Sequence, residues 1–221
     1  MKKLILLFAV AFNLNSNEFL TGSLVDYSGL IKMPNARFNN EGKVSFNYSR
    51  YDPYGKYVFQ FSPYDWFEGA LFYTDINSLG YPDFERGPGG MQSQKDKGFS
   101  LKARLFKEGE CYGLDYAFCE YLPNVAVGLV DFAGTSLTAS EYVVASKSFG
   151  RFDLTAGLGW GALGSTDNIG GNPLSILADR FDERGSGYSS GLMGGVPGVS
   201  TWFRGTTSVF GGVEYVITKA R

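Results

Sequence analysis

LPNVAVGLVDFAGTSLTASEYVVASKSFGRFDLTAGLGWGALG (Leu122–Gly164) holds three runs patterned as β-strands. In the third, Phe152, Leu154, Ala156, Leu158 and Trp160 alternate with Asp153, Thr155, Gly157 and Gly159. Successive side chains of a strand point to opposite faces, so this run has one greasy wall and one small, polar wall. Its length, roughly ten residues, is that of a strand crossing a bilayer at a tilt. A membrane barrel would carry its function in the lumen or loops.

The alternation continues upstream. Val44, Phe46 and Tyr48 alternate with Ser45, Asn47 and Ser49, and Tyr57, Phe59 and Phe61 with Val58, Gln60 and Ser62. Asp52–Gly55 (DPYG) reads as the tight turn between them. A third strand is expected from about Trp66 to Thr74. A fourth, Gly98 to Lys107, sets Phe99, Leu101, Ala103 and Leu105 against Ser100, Lys102 and Arg104. A last strand is expected over about Trp202–Ile217. The fold class is therefore all-β, an antiparallel outer-membrane-type β-barrel with about eight or more strands over residues 44–221.

Glycine and aromatic content agree with many strands and turns. The chain has 30 glycines in 221 residues, about twice the usual share, and 16% aromatic residues. The formal charge of −2 argues against a nucleic-acid partner. Lys2 and Lys3 followed by the apolar core Leu4–Phe12 read as a signal peptide over residues 1–16, without a nearby cysteine for acylation. Residues 17–43 form an N-terminal segment with a short strand near Leu30–Lys32, ended by Met33-Pro34. No later stretch is apolar enough for a membrane helix, so entry into a membrane would be by strands.

Connections and charges give two further constraints. Counted from Val44, the two longest connections follow strands three and seven, while the tight links at Pro63 and Gly150 follow even strands. That parity suits long external loops and short periplasmic turns; the cysteine-bearing link after strand four breaks it. A cation facing lipid at midplane costs about 2–4 kcal/mol, so Lys102 and Arg104 are expected on the inner face. The same reasoning turns Glu68, Glu141, Lys147, Asp153, Arg204 and Glu214 inward. Trp66 and Phe72 would share that face with Glu68, and Trp202 and Phe210 with Arg204 and Glu214. Such rings could stack on sugars or simply fill a small lumen.

Chemistry is sparse. There is no histidine, which removes the usual general base and metal ligand. Carboxylates are scattered and none is marked as a catalytic pair. The literal GxGxxG at Gly159–Gly164 lacks the following helix that a dinucleotide site requires. No enzyme activity, cofactor or metal is expected. Cys111 and Cys119 could close a small loop by a disulfide or remain two thiols in a hairpin link.

GLIKMPNARFNNEG, WFEGALFYTDI, DKGFSLKARLFKEGE, LPNVAVGLVDFAGTSLTASEYVVASKSFG, NPLSILADRF and FRGTTSVFGGVEY, in this order between about Leu30 and Tyr215, resemble the YjbH family of exopolysaccharide-associated outer-membrane proteins, also seen as GfcD in capsule operons. The resemblance implies an exported barrel in the bacterial outer membrane that contacts lipid and serves exopolysaccharide or capsule production or export. Polysaccharide and other proteins of that system are the implied partners, and no catalytic residues carry over. Alternatives are a barrel that binds polysaccharide or a secretion partner through the loops Asn77–Lys97 and Ser165–Thr201, and a carboxylate-dependent glycan-modifying enzyme. Family members are longer and the chain stops at Lys219-Ala220-Arg221, so it reads as a truncated member. The Cys111–Cys119 stretch interrupts a tighter junction in the family pattern.

Overall fold

In the computed structural model, which describes residues 23, 28–80, 93–113, 119–185 and 197–217, the alternating runs are strands. The expected signal peptide lies outside the described residues. A small hairpin comes first, β1 (Gly29–Leu30) and β2 (Met33–Pro34), which replaces the single strand expected near Leu30. Eight longer strands follow: β3 (Lys43–Tyr51), β4 (Tyr54–Tyr64), β5 (Phe67–Gly80), β6 (Ser93–Phe106), β7 (Asn124–Val130), β8 (Ser140–Phe149), β9 (Phe152–Gly161) and β10 (Thr207–Tyr215). Each pairs antiparallel with its sequence neighbour, so the sheet is an uninterrupted meander from β3 to β10. The sheet is not closed into a barrel: β3 and β10 are its two edges. The connection after β9 therefore lies at the opposite end of the sheet from the tight links at Asp65–Trp66 and Gly150–Arg151 and from the cysteine-bearing link.

Register carries the alternation across the whole sheet. Phe46 lies opposite Phe59, Phe59 opposite Leu71, Leu71 opposite Phe99, and Leu101 opposite Leu129. Farther along, Val127 meets Val143, Val143 meets Leu158 and Leu158 meets Val209. These residues make one broad apolar face, and much of it is bare: Phe46 is 64% exposed and Val213 61%. Tyr48, Tyr57 and Tyr73 cluster on it toward one end, and Tyr64, Trp66 and Phe67 toward the other. The second face is polar and almost wholly buried, with Lys56, Gln60, Glu68, Ser100, Lys102, Ser146, Asp153 and Thr155. That inverts the arrangement of a water-soluble sandwich, whose polar faces lie outermost.

What buries the polar face is the N-terminal segment. Leu30 packs on Gly212 of β10, its Cδ1 lying 2.8 Å from where a Cβ there would stand. Two residues on, the Lys32 ammonium sits 4.3 Å from the ring centre of Tyr51 on β3. A flat eight-strand sheet would hold its edge strands roughly 34 Å apart, seven spacings of about 4.8 Å. Leu30 and Lys32 are linked by no more than about 7 Å of backbone. The sheet is therefore rolled around the segment until both edges come within reach of one short peptide. Ala36 and Phe38 then join Ala126, Val130, Tyr142 and Val144 in an apolar core on the inner face. Gly128 makes room there for the Tyr142 ring, whose Cζ would lie 2.1 Å from a Cβ at 128.

Candidate functional site

Two places hold the polar side chains together: the interior around residues 28–43, and a cleft between the β7–β8 and β9–β10 connections. In the interior, the sequence Asn35-Ala36-Arg37-Phe38-Asn39 follows the β1–β2 hairpin and lies against the strand wall. The Ala36 N–H donates to Ser146 Oγ at 2.9 Å, and the Asn39 N–H to Glu68 Oε1 at 2.6 Å. Asn39 Nδ2 donates to the same carboxylate oxygen at 2.9 Å and to Ser28 Oγ at 3.0 Å, and the Ser28 hydroxyl itself donates to that oxygen at 3.3 Å. Lys102 takes the other oxygen of Glu68 at 3.3 Å and also donates to the Arg37 carbonyl. Both members of this Glu68–Lys102 pair are 1% exposed. A buried charge is tolerable only when paired and hydrogen-bonded, and here each carries several partners.

Arg37 is the second anchor. Its Nε donates to Asp153 Oδ2 at 2.9 Å and its Nη2 to the other Asp153 oxygen, a two-point grip on a fully buried carboxylate. Nη1 reaches Glu108 at 2.6 Å, and Nη2 also reaches Ser148 Oγ at 2.7 Å. Burial alone would depress the guanidinium pKa, but the bonds to Asp153 and Glu108 outweigh it and hold it above its ordinary value. Burial pushes Glu108 up; Arg37, Lys147 and the Ser148 N–H pull harder, and its carboxyl sits below the usual range. Phe38 lies between Lys102, 4.4 Å from its ring centre, and Arg104, at 4.6 Å. Every carboxylate named here is held by cations or amides in a positioning role.

The cleft has a volume of about 460 Å³. Its walls are Phe132 and Leu137 from the β7–β8 connection, and Arg184, Thr201 and Trp202 from the β9–β10 connection. Phe132 and Trp202 meet edge to face at 6.4 Å. Glu141 closes the base: Arg184 grips it through two N–H groups, at 2.6 and 2.9 Å, and the Phe203 N–H adds a third bond at 3.0 Å.

The residues singled out from the sequence divide into three groups. Glu68, Phe72, Lys102, Asp153, Phe210 and Glu214 lie on the inner face; Phe72 carries the Lys56 ammonium 4.3 Å from its ring centre, and Phe210 lies over Gly157. Arg104 shares that face, against Phe38, and reaches Asp65 at 3.4 Å. Glu141 and Lys147 do not. Register sets them opposite Trp160 and Leu154, on the apolar face. Both sit toward strand ends: Glu141 is covered by the β9–β10 connection, and Lys147 bends to Glu108 at 3.1 Å and the Glu120 carbonyl at 2.6 Å. Trp66, Trp202 and Arg204 are not in strands. Trp66 is in the β4–β5 turn, stacked on Tyr64 at 5.6 Å, and the other two precede β10, which begins only at Thr207. Trp160, expected on the bare wall, is 2% exposed, with Nε1 bonded to Asn172 Oδ1 at 3.1 Å. Cys111 and Cys119 are joined by a disulfide.

Sequence reading passed over Arg37, Asn39, Glu108 and Arg184. A signal existed for Arg37: an arginine flanked by small, polar and aromatic residues, with unmatched inward carboxylates downstream. Nothing local marked Arg184.

A family model described as exopolysaccharide biosynthesis protein YbjH matches residues 23–221. The "Uncharacterized lipoprotein YjbH" of Escherichia coli (strain K12) is 42% identical over 187 residues, 85% of this chain. The chain spans 25% of the length of that relative. No solved structure matches the chain.

Proposed function

The chain belongs to the YjbH family of exopolysaccharide biosynthesis proteins, and from that premise we propose that it forms the plugged wall of a bacterial outer-membrane β-barrel. In this reading the barrel assists production or export of exopolysaccharide or capsule and catalyses nothing itself. The observation that carries the reading is the inverted sheet: an apolar face runs across all eight strands and is bare over much of its extent, while the charges in the middle of the strands, Glu68 and Lys102, lie on the covered side. A soluble protein rarely leaves so wide an apolar surface uncovered, and a bilayer is the solvent that suits it. The aromatic clusters toward both ends suit the two membrane interfaces. Among the described residues no further strand lies beside β3 or β10, and in this reading further strands from a longer chain, such as the E. coli relative has, complete the wall. The word lipoprotein in that relative's name is in keeping with export and membrane association. The engagement of Glu68, Asp153 and Glu108 in ion pairs supports a role without catalysis.

The test uses the full-length protein in lipid vesicles with a polarity-sensitive dye on single introduced cysteines. Dye on Leu154→Cys and Val213→Cys is expected to be quenched by nitroxide lipids, and dye on Leu137→Cys, in a loop, is not. Equal quenching at all three positions sinks the wall. Unchanged extracellular polysaccharide after deletion of the gene sinks the assisting role.

A further inference from the structure

We propose that the cleft between the β7–β8 and β9–β10 connections binds a short pyranose segment of the exopolysaccharide. This rests on the exopolysaccharide role argued above and names the place where the polymer is held.

The cleft combines the two surfaces that sugar rings need. A pyranose has an apolar C–H face and a rim of hydroxyls, so it is recognised by a flat ring beside fixed polar groups. Trp202 and Phe132 supply the rings; both are half-buried and wall the same space. Arg184 supplies the polar group. Its guanidinium has five N–H donors and commits two to Glu141, which orients the plane while the side chain stays 24% exposed. Glu141, 3% exposed with three donors around it, is a positioning residue. The Arg184–Glu141 pair is neutral overall, and the buried Asp131 on the same lining adds a carboxylate, so the cleft suits hydroxyl-bearing rings and disfavours an acidic ligand. A volume of about 460 Å³ is toward the small end for ligand sites, enough for one or two rings.

Its position fits a polymer passing the barrel. The cleft lies at the end of the sheet that carries the connections after β5, β7 and β9, and in such barrels the longer connections are the external loops. The covered inner face, by contrast, is occupied along Glu68, Lys102, Ser146 and Asp153 by residues 28–42.

Tryptophan emission reads the cleft directly. Of the 3 tryptophans, Trp160 is buried and bonded to Asn172, and Trp66 is in the turn at the opposite end of the sheet. Full-length protein in detergent micelles is titrated with exopolysaccharide from the source bacterium, cleaved to short oligosaccharides. An emission change is expected that survives Trp66→Phe and disappears in Trp202→Phe. By calorimetry, Trp202→Ala should weaken binding ~10-fold, the worth of one good ring contact. Retained heat-modifiable electrophoretic mobility shows that the variant is folded. Absence of oligosaccharide binding by the wild type, or unchanged affinity in folded Trp202→Ala, overturns the proposal. If either occurs while gene deletion still lowers polysaccharide yield, the cleft fails and the barrel's role stands.

Discussion

Arg37→Met should release the inner segment from the sheet wall, and the size of the effect follows from what is left behind. Asp153 has a fully buried side chain and receives both of its charge-assisted bonds from Arg37. Glu108 keeps Lys147 and the Ser148 N–H, each at 3.1 Å. The loss therefore falls mainly on Asp153. Removing one partner of a buried ion pair costs about 3–5 kcal/mol. With Arg37 itself 14% exposed, the low end applies, ~3 kcal/mol, or roughly a 100-fold increase in local opening. Hydrogen exchange of the full-length protein, read at the Ala36 and Asn39 amides, measures that opening. The double variant Arg37→Met/Asp153→Asn should recover most of the loss, because a neutral amide tolerates burial far better than an orphaned carboxylate. Exchange within threefold of wild type, or a double variant no better than the single, would refute the assignment of Arg37 as the anchor.

The other expectations concern pH, the second buried pair and the lipid face. Glu108 has its pKa lowered in the folded chain, so its contribution is fully present above the ordinary glutamate value of about 4.3 and is lost as pH falls through the lower folded value. Protease sensitivity around residues 28–42 should rise in that acid window, and Glu108→Gln should flatten the profile; an unaltered profile in the variant rules out Glu108 as its source. Glu68→Gln strands the Lys102 ammonium and should cost ~3 kcal/mol in urea unfolding, whereas Glu68→Gln/Lys102→Met should lie near wild type. Ala156→Arg, on the bare face of β9, should lower barrel stability by about 2–4 kcal/mol in lipid and far less in a detergent-free soluble fragment; equal losses in both count against lipid contact.

The strands were legible where one face is apolar and the other mostly small or polar. β3, β4 and β9 follow this rule, and their register agrees with the alternation read from Val44–Ser49, Tyr57–Ser62 and Phe152–Trp160. β8 does not. Tyr142-Val143-Val144-Ala145 is apolar on both faces, because Tyr142 and Val144 pack inward on Ala36 and Phe38 while Val143 faces out. With both walls greasy, only the charges could set the register, and the rule that charges point inward placed Glu141 and Lys147 on the wrong side. That rule holds at midplane, where no partner is in reach, and fails toward strand ends, where a loop or the rim supplies one.

The site was less legible because its partners come from distant segments. Lys102 and Glu68 were assigned inward as lone charges, yet what makes their burial tolerable is residues 28–39, a stretch without periodicity. Periodicity reports how a strand sees its two solvents; it is silent about an irregular peptide held by side chains 29 to 116 positions away. The same limit explains Trp160. Its place in the alternation is correct, opposite Glu141 and Thr207, but the β9–β10 connection folds back over that end of the wall and bonds it through Asn172. The third run of the opening segment thus changes environment along its length. Phe152 to Ala156 face outward bare, while Trp160 lies under a loop that also builds the cleft. In the proposed barrel that change sets the membrane boundary between Ala156 and Trp160, with Glu141 and Arg184 on the aqueous side, where an ion pair is kept without the cost that lipid would impose.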